Sequence, residues 1–270
     1  MKDYFGKELF EFNSKKLWLF DMDGTIYLGN KLFDGVIELL DKIEKNGGKY
    51  VFITNNSSKS VSDYIKKVNS MGIKADESNF FTSANAMVLL LKEKYKDSLI
   101  YFQGTRSFLS ELENAKLNVT TEYNENTKVV VVGFDTELTG EKLFNTSKTL
   151  TLNEVDYYAT NPDWVCPVEF GYIPDCGSMC QGLERATGKK PKFIGKPEPT
   201  MIFEVMKKFN AKNDEVVLLG DRIYTDIASG VNANVDTILV LSGEATLQTY
   251  TSSQVKPKYV LNSVNELNDL

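Results

Sequence analysis

A chain of 270 residues, 42% hydrophobic and 25% charged, has the composition of a globular protein and length enough for one or two domains. Its net charge of −6 argues against nucleic acid as the main partner, because a phosphate backbone needs a basic face. It has no histidine, which excludes Ser-His-Asp and Cys-His catalysis, His-based zinc sites and phosphohistidine chemistry. Acid–base work near neutral pH falls to carboxylates, Lys, Tyr or Cys. No apolar stretch approaches the about 18 residues of a membrane span. The first residues hold no apolar core of signal-peptide length, so no membrane partner is expected and the expected location is cytoplasmic.

The first element in chain order is the apolar run Leu17-Trp18-Leu19-Phe20, which reads as a buried strand. Asp21-Met22-Asp23-Gly24-Thr25 follows it. At a strand end, residues i and i+2 point the same way, so Asp21 and Asp23 are expected to face one site. Two like charges held together must be neutralised by a cation or a proton. That pairing suits phosphoryl chemistry, with one carboxylate as metal-bound nucleophile and the other as proton carrier. A solvated Asp-x-Asp-Gly turn is the alternative.

A turn at Tyr27-Leu28-Gly29-Asn30 comes next. Val36, Leu39, Leu40 and Ile43 then make one apolar helical stripe, ended by Asn46-Gly47-Gly48. The run Tyr50-Val51-Phe52-Ile53 reads as a strand with Thr54-Asn55-Asn56-Ser57-Ser58 at its end. Hydroxyl and amide groups there can bind a ligand, as in open α/β sheets, or simply cap the following helix, Val61 to Met71. This rhythm is that of βαβ units with a parallel sheet.

A block from about residue 83 to 190 has its own rhythm, with strands at 99–102, 129–132 and 156–159 and a helix over 143–152. Its three cysteines, Cys166, Cys176 and Cys180, form no disulfide framework, and a zinc site needs about four ligands, so packing cysteines are expected. After the block come Ile194-Gly195-Lys196-Pro197, a helix over 200–209, and the strand Val216 to Leu219. That strand leads into Gly220-Asp221-Arg222-Ile223-Tyr224-Thr225-Asp226. A helix over 226–230, a strand over 237–241 and a short strand near 259–261 complete the pattern. Gly195-Lys196 is no P-loop, since position 190 is Lys and position 197 is Pro.

Four motifs in this order, Asp21-Met22-Asp23-Gly24-Thr25, Thr54-Asn55-Asn56-Ser57, Gly195-Lys196-Pro197, and Gly220-Asp221 through Thr225-Asp226, resemble those of the haloacid dehalogenase (HAD) superfamily. The long insertion and Ala159-Thr160-Asn161-Pro162-Asp163 within it are similar to the NagD-like and 4-nitrophenylphosphatase-type subgroup, subfamily IIA. The resemblance covers nearly the whole chain. It implies an α/β fold: a Rossmann-like parallel-sheet core of residues 1–82 and 191–270, with an inserted α/β cap, residues 83–190, closing over it.

The implied activity is Mg²⁺-dependent hydrolysis of small phosphate monoesters, such as nucleotides or sugar phosphates, through an aspartyl-phosphate. Asp21 would be the nucleophile and Asp23 the general acid and base. Thr54 and the backbone N–H of Asn55 would bind phosphoryl oxygens, and Lys196 would offset their charge. The metal ligands would be Asp21, the backbone carbonyl of Asp23, and Asp221; Asp226 would be a further ligand or, as favoured, a group behind the ligands. Asn161, Asp163 and Trp164 are the implied substrate contacts in the cap. The family pattern has glycine after the proline of Pro174-Asp175-Cys176-Gly177, where this chain has Asp175. Competing readings are a phosphotransferase, a dehalogenase, which usually lacks the second aspartate, and a non-catalytic binding or regulatory protein. The expected partner is a small-molecule phosphate ester, and a homodimer is allowed.

Overall fold

The computed structural model describes residues 1–168 and 170–270. The chain divides into two compact units. The first comprises Met1–Thr54, Ser62–Phe81 and Lys196–Leu270; the second comprises Asn55–Val61 and Thr82–Gly195.

The first unit is built on a six-stranded sheet. Its spatial order is Tyr259–Leu261, Asp236–Val240, Val216–Gly220, Leu17–Phe20, Lys49–Thr54 and Phe80–Thr82. The pairings along the first five strands are parallel, with Leu17 opposite both Val216 and Lys49. Strands covered on both faces read as unbroken apolar runs, and Leu17–Phe20 and Val216–Gly220 are buried at every position. Aromatic rings tie neighbouring strands together: Phe52 lies 6.3 Å from Phe20 and 5.3 Å from Phe80, centroid to centroid. The helix Val36–Lys45 buries Val36, Leu39, Leu40 and Ile43, the stripe that the sequence predicts.

The second unit holds a five-stranded sheet in the order Lys192–Phe193, Asp156–Ala159, Thr127–Val132, Leu99–Gln103 and Val119–Thr120, parallel throughout. Its helices are Ser83–Lys94, Arg106–Asn114, Gly140–Leu152 and Cys176–Thr187. An antiparallel hairpin pairs Val165–Val168 with Gly171–Pro174. Cys176 and Cys180 sit in this unit's core with Tyr101, Val132, Phe134 and Leu183. All three cysteines are free.

The sequence boundaries at 82/83 and 190/191 stand beside the observed divisions at Phe81/Thr82 and Gly195/Lys196. The segment 55–61, expected with the first unit, groups with the second. Its polar groups explain why: the Phe134 N–H donates to Ser57 Oγ at 2.9 Å, and Ser83 Oγ donates to the Asn55 carbonyl at 2.6 Å. Among the described residues, no helix is long and apolar enough to cross a membrane.

Phe52 is fully buried against three aromatic neighbours, Phe20, Tyr50 and Phe80. Phe52→Ala should therefore destabilise the first unit by about 3–5 kcal/mol, the usual cost of emptying an aromatic site. Denaturant unfolding with and without the substitution measures it; a loss below about 1 kcal/mol would show that the sheet does not depend on this packing.

Candidate active site

In the first unit, three neighbouring strands deliver their carboxyl ends to one edge of a parallel sheet, where open α/β sheets bind ligands. Asp21 follows Leu17–Phe20, and its N–H donates to the Leu219 carbonyl at 2.8 Å. Thr54 ends the strand Lys49–Thr54. Asp221 follows Val216–Gly220. The chain then makes one π-helical turn, Ile223–Ile227, which carries Asp226. Such turns are rare and recur at functional sites.

Lys196 joins these pieces. Its buried ammonium donates to Asp21 Oδ1 at 2.6 Å, Asp226 Oδ1 at 2.6 Å and the Ile53 carbonyl at 3.1 Å. Those three bonds use its three donors. Burial works to lower the Lys196 ammonium, but Asp21 and Asp226 outweigh it and raise it. Lys196 is therefore a fixed positive charge.

The carboxylates exceed that charge. One oxygen from each of Asp21, Asp221 and Asp226 falls in a group whose members all lie within 4.8 Å of one another. Burial first, then Asp226, pushes the Asp21 carboxyl up against the pull of Lys196. Burial and Asp226 likewise raise Asp221 to about 7.

The oxygens are not equivalent. Asp226 uses both, Oδ1 for Lys196 and Oδ2 for the Arg222 N–H at 3.0 Å. Asp221 Oδ2 accepts from the Glu244 N–H at 2.7 Å, while its buried Oδ1 has no hydrogen-bond partner among the described residues. Gly24 and Gly243 crowd Asp221 so closely that a Cβ at either would strike its carboxylate. An orphaned buried oxygen, hard oxygen donors and surplus negative charge fit a divalent cation such as Mg²⁺. The fit is to Asp21 and Asp221, with Asp226 behind them.

Asp23 stands apart from this group. Its side chain is 52% exposed, against 16% for Asp21. The Tyr27 hydroxyl donates to Asp23 Oδ2 at 3.2 Å, and Lys67 Nζ lies 3.9 Å from Oδ1. Neither Tyr27 nor Lys67 was singled out by sequence: Tyr27 reads as part of a turn, and Lys67 as one lysine of a surface helix. The Gly243–Glu244 end of the cradle carried one weak signal, a glycine just past a predicted strand.

The remaining candidates lie in the second unit. Asn55 Nδ2 and Asn161 Nδ2 each donate to Asp163 Oδ2 at 2.7 Å, and Asn161 Nδ2 also reaches Asp175 Oδ1 at 3.0 Å. All four side chains are buried. Asp175 caps the helix Cys176–Thr187 with φ −99°, a backbone any residue adopts, so its position needs no glycine. Trp164 is 58% exposed. The structure thus gathers Asn55, Asn161 and Asp163 into one hydrogen-bonded group and leaves Trp164 outside it.

A family model described as haloacid dehalogenase-like hydrolase matches residues 18–118, and a second, HAD-hydrolase-like, matches 193–267. The acid sugar phosphatase of a Staphylococcus aureus strain is 33% identical over 251 residues, 93% of this chain and 96% of that protein. Among solved structures, a 4-nitrophenylphosphatase from Thermotoga maritima is 34% identical with a TM-score of 0.90, covering 96% of this chain and 98% of that one. NagD from E. coli K-12 is 30% identical with a TM-score of 0.85, over 93% and 98%. The chain belongs to the haloacid dehalogenase-like hydrolases, with relatives of the NagD and 4-nitrophenylphosphatase type. Within that family it is a phosphatase, a phosphoric monoester hydrolase.

The raised Asp221 sets a pH dependence. A carboxyl whose folded value lies above its unfolded one adds stability below about pH 4, which is lost as pH rises toward 7. Protein stripped of divalent cations should lose thermal stability across that window, and Asp221→Asn should flatten the loss. Added Mg²⁺ should stabilise wild type more at pH 8 than at pH 5. Parallel melting curves for wild type and Asp221→Asn would contradict the assignment of this carboxyl.

Proposed function

We propose that this phosphatase hydrolyses small phosphorylated metabolites, sugar phosphates foremost, with Mg²⁺ and through an aspartyl-phosphate on Asp21. One observation carries the reading: Asp21 is pinned by a buried ammonium at 2.6 Å, beside a buried Asp221 oxygen that lacks a partner. The name of the acid sugar phosphatases, 32–33% identical to this chain, supports the substrate class.

Asp21, Asp221 and the backbone carbonyl of Asp23 would hold the metal, which when bound neutralises charge on the phosphoryl oxygens. Lys196 orients Asp21 by its Oδ1; Asp21 Oδ2 has no hydrogen-bond partner among the described residues and is the atom aimed at phosphorus. Thr54 and the N–H of the next residue bind phosphoryl oxygens. Asp23, outside the buried group, protonates the departing ester oxygen and then takes a proton from water.

Asp21→Asn should abolish phosphate release while the fold survives, because an amide keeps the shape but is no nucleophile. Excess EDTA should silence wild type, and Mg²⁺ should restore it. A folded Asp21→Asn protein with wild-type turnover on a panel of sugar phosphates, nucleotides and 4-nitrophenyl phosphate would sink the mechanism.

The buried Asp163 and the exposed Trp164 should behave differently. Trp164→Ala should shift relative kcat/KM among metabolites by about 1–3 kcal/mol, the worth of one good contact. Asp163→Ala takes one hydrogen bond from each of two buried amides and should lower stability and depress all substrates together. Steady-state kinetics across the panel distinguish them; substrate-selective loss in Asp163→Ala would make it a contact residue after all.

A further inference from the structure

A half-exposed aspartate is poorly suited to proton transfer unless something holds it, because the acid must lie within hydrogen-bond reach of one particular oxygen. Asp23 is held twice, once by each carboxylate oxygen. The loop from Asp23 to Tyr27 closes on itself: the Gly24 N–H donates to the Tyr27 carbonyl at 2.8 Å, with Gly24 in the left-handed region at φ +83°. The closure turns the fully buried Tyr27 back beneath Asp23, where its hydroxyl donates to Oδ2. From the helix Val61–Ser70, Lys67 lays its ammonium over the same tyrosine ring, 3.8 Å from the centroid, and 3.9 Å from Asp23 Oδ1. The ring seats the cation, and the cation faces the other carboxylate oxygen.

We propose that Tyr27 and Lys67 are positioning residues for Asp23 in the proton-transfer half of the reaction. The inference rests on the phosphatase reading above and names two residues to which no role has been given. Tyr27 fixes the carboxyl plane through Oδ2. Lys67, too far from Oδ1 for a hydrogen bond, leaves that oxygen to deliver the proton.

In the first step an Asp21 oxygen bonds to phosphorus, and the bond from phosphorus to the ester oxygen breaks with its electron pair passing to that oxygen. The Asp23 proton moves to the same oxygen and frees the alcohol. The carboxylate left behind lies between a hydroxyl donor and an ammonium, so the new charge is met where it forms. In the second step that carboxylate takes a proton from water as the water oxygen bonds to phosphorus. The bond from Asp21 to phosphorus then breaks, giving back the Asp21 carboxylate and free phosphate.

The consequence is a dependence on the leaving group. A sugar or glycerol alkoxide needs the proton, whereas 4-nitrophenolate leaves with little help. Tyr27→Phe removes only the hydroxyl, and Lys67→Met keeps the stem and removes the charge. Each should lower kcat/KM on a sugar phosphate by about 10-fold or more, within the usual worth of general acid help. On 4-nitrophenyl phosphate each should change it by less than about 3-fold. Lys67→Arg should recover most of the loss. In an Asp23→Asn background, Lys67→Met should cost nothing further, since a positioning residue has no effect once its target is gone.

Equal losses on both substrates, or an undiminished effect of Lys67→Met in Asp23→Asn, would overturn the proposal. So would a change confined to KM for the sugar phosphate, which would make Lys67 a substrate contact. If wild type released phosphate from no ester, the phosphatase reading itself would fall and this inference with it. An active wild type with insensitive variants would refute the pair alone. Circular dichroism of each variant guards against misfolding, and Tyr27→Phe and Lys67→Met, made separately, give two independent chances to fail.

Discussion

The ammonium of Lys196 is the point on which the catalytic end of the first unit depends. A buried charge is tolerated only when its donors are satisfied and its charge is paired. Here two carboxylates and one carbonyl take every donor. The arrangement fixes three parts of the chain at once: Asp21 after one strand, Ile53 within the next, and Asp226 in the π-helical turn. Because the ammonium is shared, a shift of any one of these takes a hydrogen bond from a buried charge. That is a stronger constraint than a surface ion pair, whose partners can turn to water.

The sheet order makes this constraint affordable. Leu17–Phe20 lies between Val216–Gly220 and Lys49–Thr54, all parallel, so residues distant in sequence meet at one edge without any strand changing direction. The apolar runs anchor the backbone, and the residue one step past each run is where polar chemistry can begin. Asp21 and Asp221 each occupy that position. Gly24 and Gly243 let two further loops close on Asp221. Rigid strands and close backbone approach thus hold carboxylates that would otherwise repel one another.

The same geometry explains what could be read from sequence. Three of the four motifs were legible because they lie just beyond buried strands, and buried parallel strands announce themselves as apolar runs; Gly195-Lys196-Pro197, which follows the short, partly exposed strand Lys192–Phe193, was legible only as part of the set. The stripe of Val36–Lys45 was legible for its period. Other elements gave no such signal. Ser83–Lys94 carries Met87 to Leu91 as one continuous apolar run, which hides the helical period, and its start is marked only by reciprocal capping between Thr82 and Asn85. Cys176–Thr187 is made mostly of small and polar residues, with only Met179 and Leu183 as large apolar ones; Asp175 caps its start and Gly188, at φ +72°, its end. Tyr27 and Lys67 were invisible for a different reason. Their relation to Asp23 exists only once a loop has folded back and a helix has packed beside it.

Charge sorts the carboxylates at this edge of the sheet. Asp21, Asp221 and Asp226 together carry more negative charge than the Lys196 ammonium and the neighbouring Arg222 guanidinium offset. A divalent cation that took the partnerless Asp221 oxygen would offset part of that surplus. Asp226 differs from Asp221 in that both its oxygens accept hydrogen bonds, from Lys196 and from the Arg222 N–H. Its Oδ1 holds the Lys196 ammonium that also bonds Asp21. Asp23, half exposed, lies outside this group, against the Tyr27 hydroxyl and the Lys67 ammonium. Two aspartates two residues apart thus stand in different surroundings, one bonded to a buried ammonium and one half exposed, and under the proposed mechanism that difference would suit the first to nucleophilic attack and the second to proton transfer.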